Sequence, residues 1–389
     1  PGQTICHACS IGFYANASGM SSCPRCSPGE FSDSNGTSVC KICDAGYHQA
    51  ASGQSNCVIC ASGRFASQDQ MSACTPCSAG TYEAAAGSSE CGKCDEGLVA
   101  VEEGQTVCSQ CPAGFFSELR AATTCTICAH GYYSESPGTS ECFECGIGFF
   151  QPEQGATACI PCSAGQFSDD YAATNCSYCA PGHYQASTGQ TLCLACDAGT
   201  YYAGNGSDKC FQCVEGRFQD SQGETECINC VPGQFADGQG NSLCTLCYAG
   251  RAQAASIASA CLACQPGTIS DSAGATVCTN CSHGFYQDSK RATQCLSCQL
   301  GQFSASSAPS TCDPCLPGFY AAEPEMSACN PCDTGESAIQ SGSSECSDCA
   351  PGRFANVTGQ ALCTKCAMGQ ISVFAGLTTC FDCPVGTYF

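Results

Sequence analysis

Apolar residues along this 389-residue chain never fall into the spacing of a buried helical face. An aromatic ring followed by a polar stretch recurs every 17 residues. Phe or Tyr holds that position in 17 of 23 cycles, among them Tyr14, Phe31, Phe65, Phe150, Tyr184, Phe235 and Tyr388. His48, Val99, Ala252, Ile269, Ser337 and Ile371 are the departures, with Tyr47 beside the first. Between rings lie a polar turn and a short Ser/Thr stretch, segments too short for a helix with a buried face. They predict one small β-hairpin per cycle: a strand at the aromatic, a turn, and a return through the Ser/Thr stretch. An isolated hairpin of this size is not stable in water, so each must be stapled and stacked on its neighbours.

The full unit reads Cys-x-x-Cys-x-x-Gly-x-aromatic-x-x-x-x-Gly-x-Ser/Thr-x, as in Cys6 to Ser22, and all 46 cysteines fall into 23 such pairs without an insertion or deletion. Self-similarity at a fixed short period means one supersecondary unit copied in line. The first glycine, exemplified by Gly12 and Gly29, is present in all 23 units, which points to a positive φ or a close backbone approach. The second, exemplified by Gly19, is replaced by Gln70, Ala121, Ala172, Ile257, Arg291, Ala308 and Glu325, so its turn cannot strictly require glycine. The ring, as at Tyr14 and Phe31, is expected to plug against a disulfide and the next hairpin. The unit from Cys247 to Cys261 lacks both the ring and the turn glycine and is the place to expect a helical turn or a weak point. The fold expected is small, disulfide-rich and all-β: about 23 stacked hairpins in an elongated rod, with a β-solenoid carrying a disulfide ladder as the alternative.

Composition assigns the compartment. A cysteine content this far above roughly 8–10% marks a disulfide scaffold, which persists in oxidising surroundings, so the chain is expected to be extracellular, secreted or at the cell surface. Sequons at Asn16, Asn35, Asn175, Asn205, Asn280 and Asn356 take six of the ten asparagines, which fits N-linked glycans; O-linked ones are compatible with the Ser/Thr-rich loops. The net charge of −22, with 12 Lys plus Arg, leaves no clustered cations for nucleic acid. No apolar run approaches the roughly 18 residues that suggest a membrane span.

Residues 1–389 read as one continuous array with no separate globular domain. Pro1 to Ile5, with Gly2 and Thr4, fit the back half of a unit, and Gly386-Thr387-Tyr388-Phe389 fit the front half of another. The repeat is therefore expected to continue on both sides.

Two disulfide patterns fit the period. One joins Cys9 to Cys23, Cys26 to Cys40, Cys43 to Cys57, Cys60 to Cys74 and Cys77 to Cys91, continuing to Cys366 with Cys380, and leaves Cys6 and Cys383 to partners outside this segment. The other joins Cys6 to Cys23 and Cys9 to Cys26, and doubles the period to 34, for which the variable positions show no matching alternation. The segment Cys9-Ser-Ile-Gly12-Phe-Tyr14 followed by Cys23 resembles the single-disulfide module of tumour necrosis factor receptor cysteine-rich domains, and Cys-x-x-Cys-x-x-Gly-x-Tyr is similar to ephrin-receptor-like repeats. The resemblance implies hairpins closed by Cys9 with Cys23, stacked end to end.

Chemistry finds little purchase. Paired Cys-x-x-Cys motifs also serve zinc ribbons, but this chain would need more than ten metals and a reducing compartment, so no cofactor and no metal is expected. A thioredoxin-like motif acts singly on a helix start, whereas 23 equivalent copies are architecture. His7, His48, His130, His183 and His283 share no repeat position, and no calcium loop, nucleophile elbow, P-loop or dinucleotide fingerprint appears, so no catalytic residue and no enzyme is expected. The function expected is structural: an extracellular filament, stalk or flagellar-hair-like appendage, self-associating or joined to neighbouring repeats. The alternative is the ectodomain of a receptor or adhesin that binds a protein or glycan.

Overall fold

In the computed structural model the described residues are 5–388. The expected half-unit at Gly2 and Thr4, and Phe389, lie outside them. No helix occurs among the described residues; 21 two-stranded antiparallel sheets do, each of two-residue strands. Two compact units result. The first comprises Pro1–Ala180, Tyr184–Leu194 and Asn205–Asp208, and the second Pro181–His183, Ala195–Gly204 and Lys209–Phe389. The same hairpin recurs in both.

The first full hairpin pairs β1 (Glu30–Phe31) with β2 (Lys41–Ile42), Glu30 opposite Ile42 and Phe31 opposite Lys41. The next pairs β3 (Tyr47–His48) with β4 (Val58–Ile59) in the same register. The outgoing strand carries the aromatic, as expected. The returning strand does not lie in the Ser/Thr stretch: it is the two residues between the cysteines of a Cys-x-x-Cys pair. The reason is geometric. The disulfide from Cys26 to Cys40, with Cα atoms 5.8 Å apart, draws the end of the loop back to its start, so pairing begins only past Cys40. The Ser/Thr residues fill the loop, where Thr37 Oγ1 donates to the Ser34 carbonyl at 2.8 Å.

Backbone hydrogen bonds join successive hairpins in a repeating set. Gly12 N–H donates to the Ser32 carbonyl (3.0 Å), Ala15 N–H to Thr37 (3.1 Å), and Gly36 N–H to Cys9 (2.8 Å). In the second unit the same three run from Gly250 to Ser270 (2.8 Å), Gln253 to Ala275 (3.1 Å) and Gly274 to Cys247 (2.8 Å). Parallel bridges Val99 with Ala122 and Tyr133 with Ala156 add strand-like pairing between neighbours. Contacts also reach the hairpin after next: a Cβ on Gly12 would lie 2.1 Å from the carbonyl oxygen of Gly53.

All 23 first glycines have φ between 75° and 92°. The seven residues that replace the second glycine keep the left-handed backbone, from φ 52° at Ala172 to 68° at Glu325. Glycine is dispensable there, but its conformation is not, because the amide at this position must donate to the preceding unit, as Gln70 N–H does to Cys43 at 2.7 Å. The strain falls on the side chain, at roughly 1–2 kcal/mol for an L-residue in this region. Ile257, β-branched and at φ 60°, is the least suited. Ile257→Gly is expected to stabilise its hairpin by about 1 kcal/mol, read as slower amide exchange around Cys247–Cys264. That irregular unit forms neither a helical turn nor a gap. Arg251–Ala252 pairs with Leu262–Ala263, and Cys247 bonds Cys261 across 5.7 Å between Cα atoms.

The core differs from the expected ring plug. The rings at Phe31, Phe116, Tyr133 and Phe150 are half-buried. Buried instead are the second cysteine of nearly every pair, the first glycine of all but the last three units, and the residue after the ring in many units: Ser32, Gln49, Ala66, Ser134, Gln151, Ala355. Two backbones and a disulfide converge at that point, where a small side chain or a folded-back amide is buried, whereas Tyr202, the ring at this position in one unit, stays half-buried.

Candidate functional site

The 22 disulfides all span 14 residues, and the sequence-predicted pairs Cys9–Cys23, Cys26–Cys40, Cys43–Cys57, Cys60–Cys74 and Cys77–Cys91 lie at Cα separations of 5.7 to 5.8 Å, through to Cys366–Cys380. Cys6 and Cys383 have no disulfide partner within residues 1–389. Each second cysteine is more than a staple. Cys26 donates its N–H to the Gly12 carbonyl (2.9 Å) and accepts from Gly53 N–H (2.9 Å), so disulfide and junction share one residue.

Side chains tie the loops. Gln151 Nε2 donates to the Ala158 carbonyl at 2.8 Å, and Gln151 Oε1 accepts from Glu153 N–H at 3.0 Å. The same pair of bonds recurs at Gln49, Gln185, Gln219, Gln253 and Gln287. Gln151→Ala, whose side chain fits because alanine stands there in other units, is expected to cost about 1 kcal/mol and to speed exchange of the Glu153 amide. These glutamines were not singled out from sequence. The signal was present, since the position after the ring is Ala, Ser or Gln in 20 of 23 units.

All six sequon asparagines are exposed: Asn16, Asn35, Asn175, Asn205, Asn280 and Asn356. Asn35 precedes a turn glycine, whereas Asn280 sits on the returning strand Thr279–Asn280. Gly12 and Gly29 hold buried backbone, while the rings of Tyr14 and Phe31 are half-buried beside the loops. Of the five histidines, His48 takes the ring position and puts Nδ1 3.0 Å from Cys74 Sγ. His48, Cys60 and Cys74 are the one cluster of potential metal ligands among the described residues. Both sulfurs belong to one disulfide, so the trio offers a single imidazole nitrogen and fits packing against the staple, not a metal site.

Grooves recur between hairpins at matching positions. One of about 740 Å3 is lined by Phe31, Lys41, Ile42, Asp44 and Tyr47, one of about 750 Å3 by Phe116, Glu118, Thr126, Ile127 and Tyr132, and one of about 570 Å3 by Tyr133, Glu135, Glu144, Phe149 and Tyr171. Beside the first, Lys41 Nζ donates to Asp33 Oδ2 at 2.8 Å and stands 6.0 Å from the Phe31 ring centroid. The Lys41 hydrogen bond holds the Asp33 carboxyl below its ordinary pKa. Arg25 lies likewise over Phe13, 5.9 Å from the centroid. Asp95 pairs with Arg120 and raises the pKa of the guanidinium.

Stapled hairpins, uniform junctions and exposed sequons define a cysteine-rich, all-β repeat module. The model of the family described as "Tyrosine-protein kinase ephrin type A/B receptor-like" matches residues 131–175, 199–242 and 267–309. The matched segments are ephrin-receptor-like cysteine-rich repeats, and the same 17-residue unit runs on either side of them. No curated protein matches the chain. The many disulfides and the receptor-like repeats mark an extracellular module, receptor-like or structural in kind. No helix among the described residues is long and apolar enough to cross a membrane.

Proposed function

We propose that the chain is a non-enzymatic structural element outside the cell, a stapled repeat rod that builds a filament, stalk or flagellar-hair-like appendage by self-association or by contact with neighbouring repeats, with glycans on its sequons. The observation that carries this reading is the repeating set of three inter-hairpin hydrogen bonds within each unit, kept where the turn glycine is missing: Ile257 N–H still donates to the Cys230 carbonyl at 3.0 Å. A binding protein has reason to vary its junctions so as to aim particular loops. A spacer gains from equal increments, because its stability is a sum over units and their interfaces. Electron microscopy of the native assembly tests it: filaments with a repeating axial density are expected, and isolated monomers bound to a soluble ligand would overturn it.

The receptor-like family match favours one rival, the ectodomain of a receptor or adhesin. Its support would be a protein or glycan ligand captured at a few units and no assembly.

A further inference from the structure

The groove at Phe116 repeats the groove at Phe31 with one part missing. Five repeats separate them, so Phe116 stands where Phe31 stands, Glu118 where Asp33 stands, and Thr126 where Lys41 stands. At the earlier position the ring and the carboxylate hold the chain's own ammonium, 6.0 Å from the ring centroid and 2.8 Å from Asp33. At the later one the ring and the carboxylate remain, and threonine supplies no cation. Glu96 and Glu141 line the same groove, Tyr132 adds a second ring, and Glu118, Thr126 and Glu141 are exposed. The charge around it is predominantly negative: Arg120, two residues from Glu118, is paired with Asp95 and lies near Glu96, and acidic groups dominate on the other side. From residue 121 to residue 180 the chain has no Lys or Arg, yet it carries Glu135, Glu141, Glu144, Glu153, Asp169 and Asp170.

We propose that this groove, between the hairpins of Phe115–Ile127 and Tyr132–Glu144, docks a basic segment of a partner protein, with a Lys or Arg side chain of the partner taking the place that Lys41 fills in its own hairpin. Ring faces attract ammonium and guanidinium groups, whereas hard divalent cations need a shell of oxygens, so the aromatic walls select an organic cation. A second copy of this chain is a poor occupant, with 12 cationic residues against 34 acidic ones. The neighbouring groove, with Glu135 and Glu144, lies one repeat on and can take the next cation of an extended segment. The site stands whether or not the chain builds a filament.

The test uses the full chain and fluorescein-labelled decalysine as the probe, followed by fluorescence anisotropy. Binding that weakens as salt rises is expected, since the attraction is between exposed charges. Thr126→Lys, at an exposed position, supplies the missing ammonium internally and is expected to weaken decalysine binding about tenfold. Thr279→Lys makes the same charge change at the same register position, opposite Ile269 in place of a ring, and is expected to leave the affinity within about twofold. Equal weakening by both variants would reduce the effect to net charge and overturn the proposal. So would absence of salt-dependent binding, or full displacement of the probe by calcium at the ionic strength where sodium displaces none.

Discussion

Gly131→Ala is expected to open the junctions around its hairpin, with a loss of roughly 4 kcal/mol or more, the range reserved for a named steric or network failure. Gly131 has φ 80°, and a Cβ there would meet the carbonyl oxygen of Ala172, two hairpins on, at 2.1 Å and its carbon at 2.7 Å. Neither atom can swing aside as a flexible side chain could, because both are backbone. The same residue donates its N–H to the Gln151 carbonyl at 2.8 Å and accepts from Cys145 N–H at 2.8 Å, so displacement breaks two further bonds. Gly138→Ala is the control. Its φ of 81° is similar, but a Cβ there meets only the Gln110 side chain, at 3.4 Å, and Ala121 and Ala172 already occupy the equivalent position. Its cost is expected to be about 1 kcal/mol. Hydrogen exchange by mass spectrometry separates the two. Gly131→Ala should deprotect the amides of residues 111–179 and spare those beyond 250, because repeats fail locally. Equal protection in both variants would show that the approach of Gly131 to Ala172 is unimportant.

Removing one staple, with Cys128→Ser and Cys142→Ser together, is expected to cost about 3 kcal/mol, the chain-entropy value for a loop of this length. The Cys128–Cys142 bond closes 14 residues with 5.8 Å between Cα atoms. Cys128 is wholly buried, and its backbone links three hairpins: its N–H donates to Gly114 (2.9 Å), and its carbonyl accepts from Gly155 (2.9 Å). A serine hydroxyl placed there would add the penalty of an unpaired polar group. Limited proteolysis under non-reducing conditions should find new cleavage between Ser134 and Glu141, with the remaining loops intact. Cleavage spread evenly over all loops would show that stability is shared along the chain and not held unit by unit.

Much of this was legible in the sequence. Glycine at 12, 29, 46 and every later first position signalled the close approach, and the 17-residue grid narrowed the cysteines to two pairings, of which the one also implied by the family resemblance is present. Three features stayed hidden for physical reasons. The returning strand lies inside Cys-x-x-Cys, and two residues such as Lys41-Ile42 or Thr126-Ile127 are too few to show the alternation that marks a strand. The buried position after the ring escaped because glutamine and serine read as surface residues. Their burial rests on hydrogen bonds to the loop backbone, as at Gln151, which composition does not reveal. The 41-residue reach from Gly12 to Gly53 belongs to packing: a period tells how often a unit recurs, not which copies touch. Ile257 shows the limit in reverse, since a β-branched residue argues against the left-handed backbone that the junction imposes on it.

Peptide mapping of the unreduced protein by mass spectrometry most directly tests the register on which hairpins, junctions and grooves depend. The predicted result is a set of linked peptides whose cysteines are 14 residues apart, Cys9 with Cys23, Cys128 with Cys142 and Cys366 with Cys380 among them. Links 17 residues apart, such as Cys9 with Cys26 or Cys6 with Cys23, would contradict it.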